Sequence, residues 1–266
     1  MQRLRLLWQE MRQTVIAEFP PPAAMPSDVQ EVLTQVEERY VTDAYHSLSI
    51  EGYRVTPELI EQVRNGQWQP DGEDVKARDA MAAKGYFEAH TKVKDYIEQT
   101  LKTSPSSWPL SDALTTWYRA MFSPSVTAGI LRPSDLAGWR NDQVFIRGAL
   151  HVPLAKEAVR ECMPVFFELL ASEPHPAVRA VLGHFFFVYI HPYMDGNGRL
   201  ARFIFNAMLV TGGYVWTIVP LQQRQAYMET LEQASSYRNV QPLAKYFAGL
   251  VREQTATPLP RHASAK

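Results

Sequence analysis

Cysteine is nearly absent: Cys162 is the only one in 266 residues, which excludes a disulfide within the chain and a metal site built on thiolates, and suits a reducing compartment. A charge surplus is missing too. Twenty-seven Lys and Arg face 28 Asp and Glu, so no global field draws the chain to nucleic acid or an anionic membrane, and phosphate recognition has to be local. Neither nucleic acid nor membrane is expected as a partner. The longest apolar run, Phe185 to Ile190, is far too short to span a bilayer. The N-terminal MQRLRLLWQEMRQ scatters charges among its apolar residues, unlike a signal peptide, so a cytoplasmic location is expected. No repeat recurs at a solenoid period.

What is present reads as a folded chain of one large domain or two small ones, with 46% hydrophobic and 21% charged residues. PPPAAMP, Pro20 to Pro26, closes off an N-terminal segment. Ser27, with Gln30 in the capping-box position, is placed to start a helix through Val29, Val32, Leu33, Val36, Tyr40, Ala44 and Leu48, with Gly52 as its stop. Thr56-Pro57 begins another, ending near Gly66; GQWQPDG forms a loop, and a long helix follows from Asp74 to Leu101. SPSSWP, Ser104 to Pro109, is a second linker.

Helical patterns return over 155–171, 176–190, 198–211 and 224–252, while QVFIRGALHVP, Gln143 to Pro153, carries the β-branched and aromatic residues of a short hairpin. The expected fold is mainly α with one β-hairpin. Its expected parts are an N-terminal segment and linker over 1–26, a helical region over 27–103, a core over 104–254 and a flexible tail over 255–266.

The chemistry concentrates in HPYMDGNGRLAR, residues 191–202. A glycine-rich loop running straight into a helix offers unpaired N–H donors and positive dipole potential, the ingredients of a phosphate site. Arg199, Arg202 and Asn206 follow at helical spacing on one face, where two guanidiniums can grip separate phosphates. Asp195 in the loop would repel phosphate unless a cation, most simply Mg²⁺, bridged them. His191, ending the preceding helix, is placed to accept a proton. Taken singly, a helix-end His, a Gly-Asn-Gly turn and an Arg pair are ordinary structural features; their conjunction is not. His46, His90, His151, His175, His184 and His262 lack such company and are read as structural.

These residues resemble the Fic family, whose signature runs H-x-F-x-[DE]-G-N-[GK]-R-x-x-R. Every fixed position is matched except the Phe, replaced here by Tyr193, a position expected to pack into the core. GWRNDQVFIRGALHVP looks like the family's target-docking flap and RQAYMETLEQAS like the helix closing its adenine pocket, so the likeness extends over roughly residues 30–250. It implies a Fic/Fido helical fold and a protein adenylyltransferase that moves AMP from Mg²⁺-bound ATP to a hydroxyl of a target protein, with self-modification included.

In that reading His191 takes the proton of the target hydroxyl, Asp195 holds the metal, and the Gly196, Asn197 and Gly198 backbone cradles the phosphates. Arg199 would hold the β-phosphate and Arg202 the γ-phosphate. Val144, Ile146, Arg147 and Gly148 would line the flap, with Tyr227 and Ser235 on the adenosine side.

Glu51 falls on the apolar face of its helix, where a carboxylate calls for a buried cation, an ordinary ion pair or a route to solvent. SLSIEG, Ser47 to Gly52, is similar to the inhibitory motif [ST]-x-x-x-E-[GN] of self-inhibited Fic proteins, which implies that Glu51 pairs with Arg202 and leaves the reverse reaction, removal of AMP, open. Three alternatives stand beside AMP transfer. One is transfer of another nucleotide or phosphate-linked group; another is an ATP-sensing interaction module without catalysis, against which His191 and Asp195 both count. Nucleic-acid binding through Arg199 and Arg202 is opposed by the near-neutral charge.

Overall fold

The computed structural model describes residues 2–22, 28–68, 74–103 and 109–257, without the side chains of 74–76. The expected cap Ser27, linker residues 23–26 and 104–108, loop residues 69–73, the tail from 258 and His262 lie outside the described residues.

The described residues form eleven α-helices: α1 (Gln2–Glu18), α2 (Val29–Glu38), α3 (Tyr40–Ile50), α4 (Pro57–Arg64), α5 (Asp74–Lys102), α6 (Leu110–Thr127), α7 (Lys156–Ser172), α8 (Pro176–Ile190), α9 (Asn197–Thr211), α10 (Arg224–Ser236) and α11 (Gln241–Ala256). Helix α8 is apolar on every side and buried accordingly, from Ala177 to Ile190, as expected of a helix enclosed by others. It packs against α9 and also against α1, α7, α10 and α11. The α9 helix in turn touches α3, α5 and α6. The loop joining α8 to α9, the HPYMDG segment, is therefore held between the two most buried helices of the fold.

Several boundaries differ from the sequence expectation. The helix expected to run unbroken through Leu48 divides at Arg39, whose N–H bonds the Val36 carbonyl at 3.2 Å and tightens one turn. The cap of α2 is Asp28, whose Oδ1 accepts from the Gln30 N–H at 2.9 Å. The pattern over 224–252 splits into α10 and α11, because Arg238 takes a left-handed φ of 56° and Pro242 sits in the first turn of α11. Helix α6 has no counterpart in the sequence reading; it follows Pro109 and runs through an internal Pro124. The Thr56 cap is as expected, its hydroxyl accepting from Leu59 N–H at 3.2 Å, and Gly52 ends α3 at φ 89°.

The expected hairpin does not form: no strand is present among the described residues. Gln143–Pro153 instead makes a turn at Gly148 (φ 79°), with Ala149 N–H bonded to Ile146 O at 3.2 Å. Phe145, Leu150 and Val152 stand exposed. A lone two-stranded ribbon with no third strand or covering face is marginal in water.

Candidate functional site

The site is assembled where α9 begins. His191 closes α8 in a left-handed conformation (φ 54°), its N–H bonded to Phe187 O at 2.9 Å, an uncommon backbone for a side chain with a β-carbon. Its Nδ1 lies 3.3 Å from the Val188 carbonyl, so that nitrogen carries the proton and donates, leaving the lone pair on Nε2. Burial holds the His191 pKa below its ordinary value, opposed by the hydrogen bond to Val188.

The loop beyond it is braced by side chains. Asn197 clamps Tyr193 from both sides, Oδ1 accepting from Tyr193 N–H at 3.0 Å and Nδ2 donating to Tyr193 O at 2.8 Å. Tyr193 is buried, as its position in the motif implied, and stacks on Tyr118 with ring centres 3.7 Å apart and planes 9° from parallel. Gly196 sits at φ 84°, and a β-carbon there would meet Phe122 at 2.9 Å, so both its backbone and its surroundings require glycine.

Two arginines of α9 are buried behind the loop. Arg199 lies 5.2 Å from the ring centres of both Tyr53 and Phe122, and Nη2 reaches Asp195 Oδ2 at 3.3 Å. Arg202 donates from Nε to Ser47 Oγ at 2.8 Å, and from Nη2 to Ser47 O at 3.0 Å and Glu51 Oε1 at 2.6 Å. Burial alone would discourage charge on Arg202; the Glu51 carboxylate outweighs it and holds the guanidinium pKa above its usual value. Arg199 Nε and Arg202 Nη1 are buried and have no hydrogen-bond partner among the described residues. Unpaired guanidinium nitrogens out of water are costly unless an anion is to meet them.

Asp195 has a different character: its side chain is 65% exposed and only loosely bonded to Arg199, while Oδ1 accepts from Gly196 N–H at 2.6 Å. An exposed single carboxylate beside helix-start donors and buried guanidiniums fits the way Mg²⁺ is held, by one protein carboxylate together with substrate phosphates. No group of three or more metal-binding side chains occurs among the described residues, so the rest of such a shell has to come from phosphate and water.

Helix α3 brings Ser47 and Glu51 to Arg202 across the fold. It is anchored beside α10: Leu221 N–H donates to His46 Nδ1 at 3.1 Å, and Arg224 Nε donates to the Ile50 carbonyl at 2.9 Å. Glu51, expected on a buried face, keeps 28% of its side chain exposed because it lies past the end of α3, as its cap.

Other expected site residues lie elsewhere in the chemistry. Asn206 does not face the anion site. Its amide is spent on Thr217, Nδ2 donating to the carbonyl at 3.1 Å and Oδ1 accepting from the N–H at 2.6 Å, so it ties α9 to the chain beyond it. Tyr227 is buried, its hydroxyl 2.7 Å from His184 Nε2 in the core, and Ser235 Oγ donates to Leu231 O at 2.7 Å within its own helix. Both hydroxyls have partners within the fold, and that of Tyr227 also lies beside Arg202, whose charge opposes the rise that burial gives its pKa. Burial drives the His184 pKa down to about 3, keeping that histidine neutral and structural.

Val144 and Ile146 are half-buried and Arg147 and Gly148 exposed on the flap segment, whose base is spanned by Gln143 Nε2 donating to Pro153 O at 3.1 Å. Flanking it is Arg140, which sequence reasoning missed. Nearly fully buried, Arg140 donates from Nε to His191 O at 2.8 Å, from Nη1 to Asp142 O at 2.8 Å and from Nη2 to Leu154 O. Only its tryptophan neighbour and position before the flap marked it in the sequence.

Comparison with known proteins places this geometry among relatives. Residues 109–209 match the model of the Fic/DOC family. A protein named protein adenylyltransferase Fic from Nematostella vectensis is 28% identical over 250 residues, covering 92% of this chain and 55% of its own length. Its namesake in Drosophila mojavensis is 30% identical over 220 residues, covering 80% of this chain and 40% of its own length. The chain thus spans about half the length, or less, of these relatives. The solved structure of a Fic-1 fragment from C. elegans superposes with a TM-score of 0.70 at 19% identity, covering 96% of this chain and 71% of that one, so the fold is shared.

Proposed function

The chain carries a Fic domain at residues 109–209, and on that premise we propose that it is a protein adenylyltransferase that moves AMP from ATP to a hydroxyl of a protein and is restrained by Glu51. The observation that carries the reading is the pair of buried guanidinium nitrogens, Arg199 Nε and Arg202 Nη1, without partners among the described residues, beside the first turn of α9. An anion with more than one phosphate answers both.

The residues then divide the reaction. Nε2 of His191 takes the proton of the target hydroxyl; the oxygen bonds to the α-phosphorus as the bond to the β-phosphate oxygen breaks, and pyrophosphate leaves. The first N–H groups of α9, which no helical carbonyl can reach, accept the growing charge on the phosphates. Arg199 and Arg202 hold the β- and γ-phosphates, and burial strengthens each of those contacts. Bound Mg²⁺, held by Asp195, would supply neutralisation of the phosphate charge. The flap from Val144 to Gly148 pairs with no strand among the described residues and leaves Phe145 exposed, which suits an extended target segment.

Glu51 takes Arg202 Nη2, half of the Nη1–Nη2 edge that a γ-phosphate would grip, which supports self-restraint by the helical region over 27–103 of a transferase core over 104–254. The buried single Cys162 suits the cytoplasm, and no helix among the described residues is long and apolar enough to cross a membrane. Intact-mass measurement of the Glu51→Gly protein after incubation with ATP and Mg²⁺ tests the whole reading. A gain of one AMP per modified site is expected; no gain on the protein or on added protein substrates would overturn it.

A further inference from the structure

We infer that Arg140 is a positioning residue: its guanidinium, bonded at once to the carbonyls of His191, Asp142 and Leu154, locks both ends of the flap to the turn that presents the catalytic histidine. This rests on the transferase reading for its consequence, though not for the clamp itself.

The flap, residues 143–153, lies between Asp142 and Leu154, the two residues whose carbonyls Arg140 grips. The same side chain holds the His191 carbonyl at 2.8 Å, and its own N–H holds the Pro192 carbonyl at 2.9 Å. One residue thus fixes the start of the flap, its end and the turn carrying His191. The other restraints on the flap are single bonds: Gln143 Nε2 donates to Pro153 O across its base at 3.1 Å, Leu150 N–H donates to Glu232 at 3.0 Å and His151 Nε2 meets the Tyr189 carbonyl at 3.0 Å, but no strand pairing stiffens it.

Arg140 is only 3% exposed and has no carboxylate partner among the described residues. Three carbonyl oxygens, with the Glu157 carboxylate acting at longer range, compensate for taking that charge out of water, an arrangement that suits the planar, multi-pronged guanidinium. Lysine brings the charge without the fork, and glutamine brings neither the reach nor enough donors. The His191 carbonyl is free for Arg140 because His191 lies past the end of α8, left-handed at φ 54°. The clamp thus sets the distance between a target segment lying on the flap and Nε2 of His191, the quantity on which proton transfer depends.

The test compares Arg140→Gln and Arg140→Lys with their parent, all carrying Glu51→Gly so that transfer is unrestrained. Trypsin cleavage after the exposed Arg147 reports flap holding, calorimetric titration reports ATP affinity, and labelled AMP reports transfer. Expected are cleavage after Arg147 about tenfold faster in Arg140→Gln and intermediate in Arg140→Lys, ATP affinity within about twofold of the parent, and kcat for transfer lowered by about tenfold or more. Arg140→Lys, with its charge retained, keeps the melting temperature close to the parent and carries the comparison if the glutamine variant does not fold. Cleavage at the parental rate in both variants overturns the proposal, as does faster cleavage with undiminished transfer. A parent that transfers no AMP counts against the transferase reading alone, and the cleavage rates then decide the clamp by themselves.

Discussion

The carboxylate of Glu51 rests against the first turn of α9 at Gly198, so closely that a β-carbon on Gly198 would fall 2.3 Å from Oε1. The same oxygen lies 2.6 Å from Arg202 Nη2. A single carboxylate at the C-cap of α3 therefore occupies the start of α9, the place that the proposed reading gives to a phosphate oxygen.

Replacing Glu51 with Gly should raise the rate of AMP transfer and lower stability. Losing a charged hydrogen bond costs about 1.5 to 3 kcal/mol, and the partial exposure of Glu51 keeps the loss toward the lower end. Mg-ATP should then raise the melting temperature of the variant more than that of the natural protein, because its phosphate replaces the missing carboxylate. A variant that is destabilised and no more active would reduce Glu51 to a structural ion pair.

Gly198→Ala should cost stability chiefly by pushing Glu51 off Arg202, since the nearest obstacle is the far end of a flexible side chain. In a Glu51→Gly background the same substitution should cost less by about 1 kcal/mol or more, a coupling that denaturant unfolding of the double-mutant cycle measures. Additive losses would show that the two residues do not share the seat.

His191→Ala should lower transfer by about 10²- to 10⁴-fold while ATP binding is kept. Because burial depresses the His191 pKa, its neutral, proton-accepting form persists to lower pH than for an ordinary histidine. The rate should fall as pH drops through that pKa, placing the acid limb of kcat/KM below about pH 6.5. An acid limb above that value contradicts the assignment.

Asp195→Asn should raise the Mg²⁺ concentration needed for half-maximal transfer and leave the melting temperature almost unmoved, since the carboxylate is mostly exposed and only loosely paired. Magnesium titrations of the two proteins with matching midpoints would count against a role in holding the cation.

Asp43 gives a pH test of the buried wall behind Arg202. Burial pushes its pKa up to about 6, with the Tyr86 hydroxyl, donating to Oδ2 at 2.6 Å, pulling the other way. A raised carboxylate pKa means that the folded protein binds the proton more tightly than the unfolded chain, so Asp43 contributes more stability as pH falls from about 7 toward about 4. Asp43→Asn should accordingly gain most relative to the natural protein near neutrality, with the difference shrinking toward about pH 4. Melting curves separated by a constant interval over that range would argue against a raised pKa.

The sequence by itself determined the chemistry that is local. HPYMDGNGRLAR gives the helix end, the turn and the helix start within one stretch, so the placement of His191, Asp195, Arg199 and Arg202 follows from spacing, and α8 follows from the largely apolar helical pattern opened by Pro176. Tertiary structure decided what depends on distant chain. The pair of Glu51 and Arg202 spans 151 residues and was implied by the resemblance, not by periodicity, whereas the partners of Arg140, up to 52 residues away, were implied by neither. It also decided the failures: Asn206 shares a helical face with Arg199 and Arg202 by spacing, yet the chain returning through Thr217 takes its amide first. The flap residues favour strands locally, but a strand needs a neighbouring strand to complete its hydrogen bonds, and there is none among the described residues.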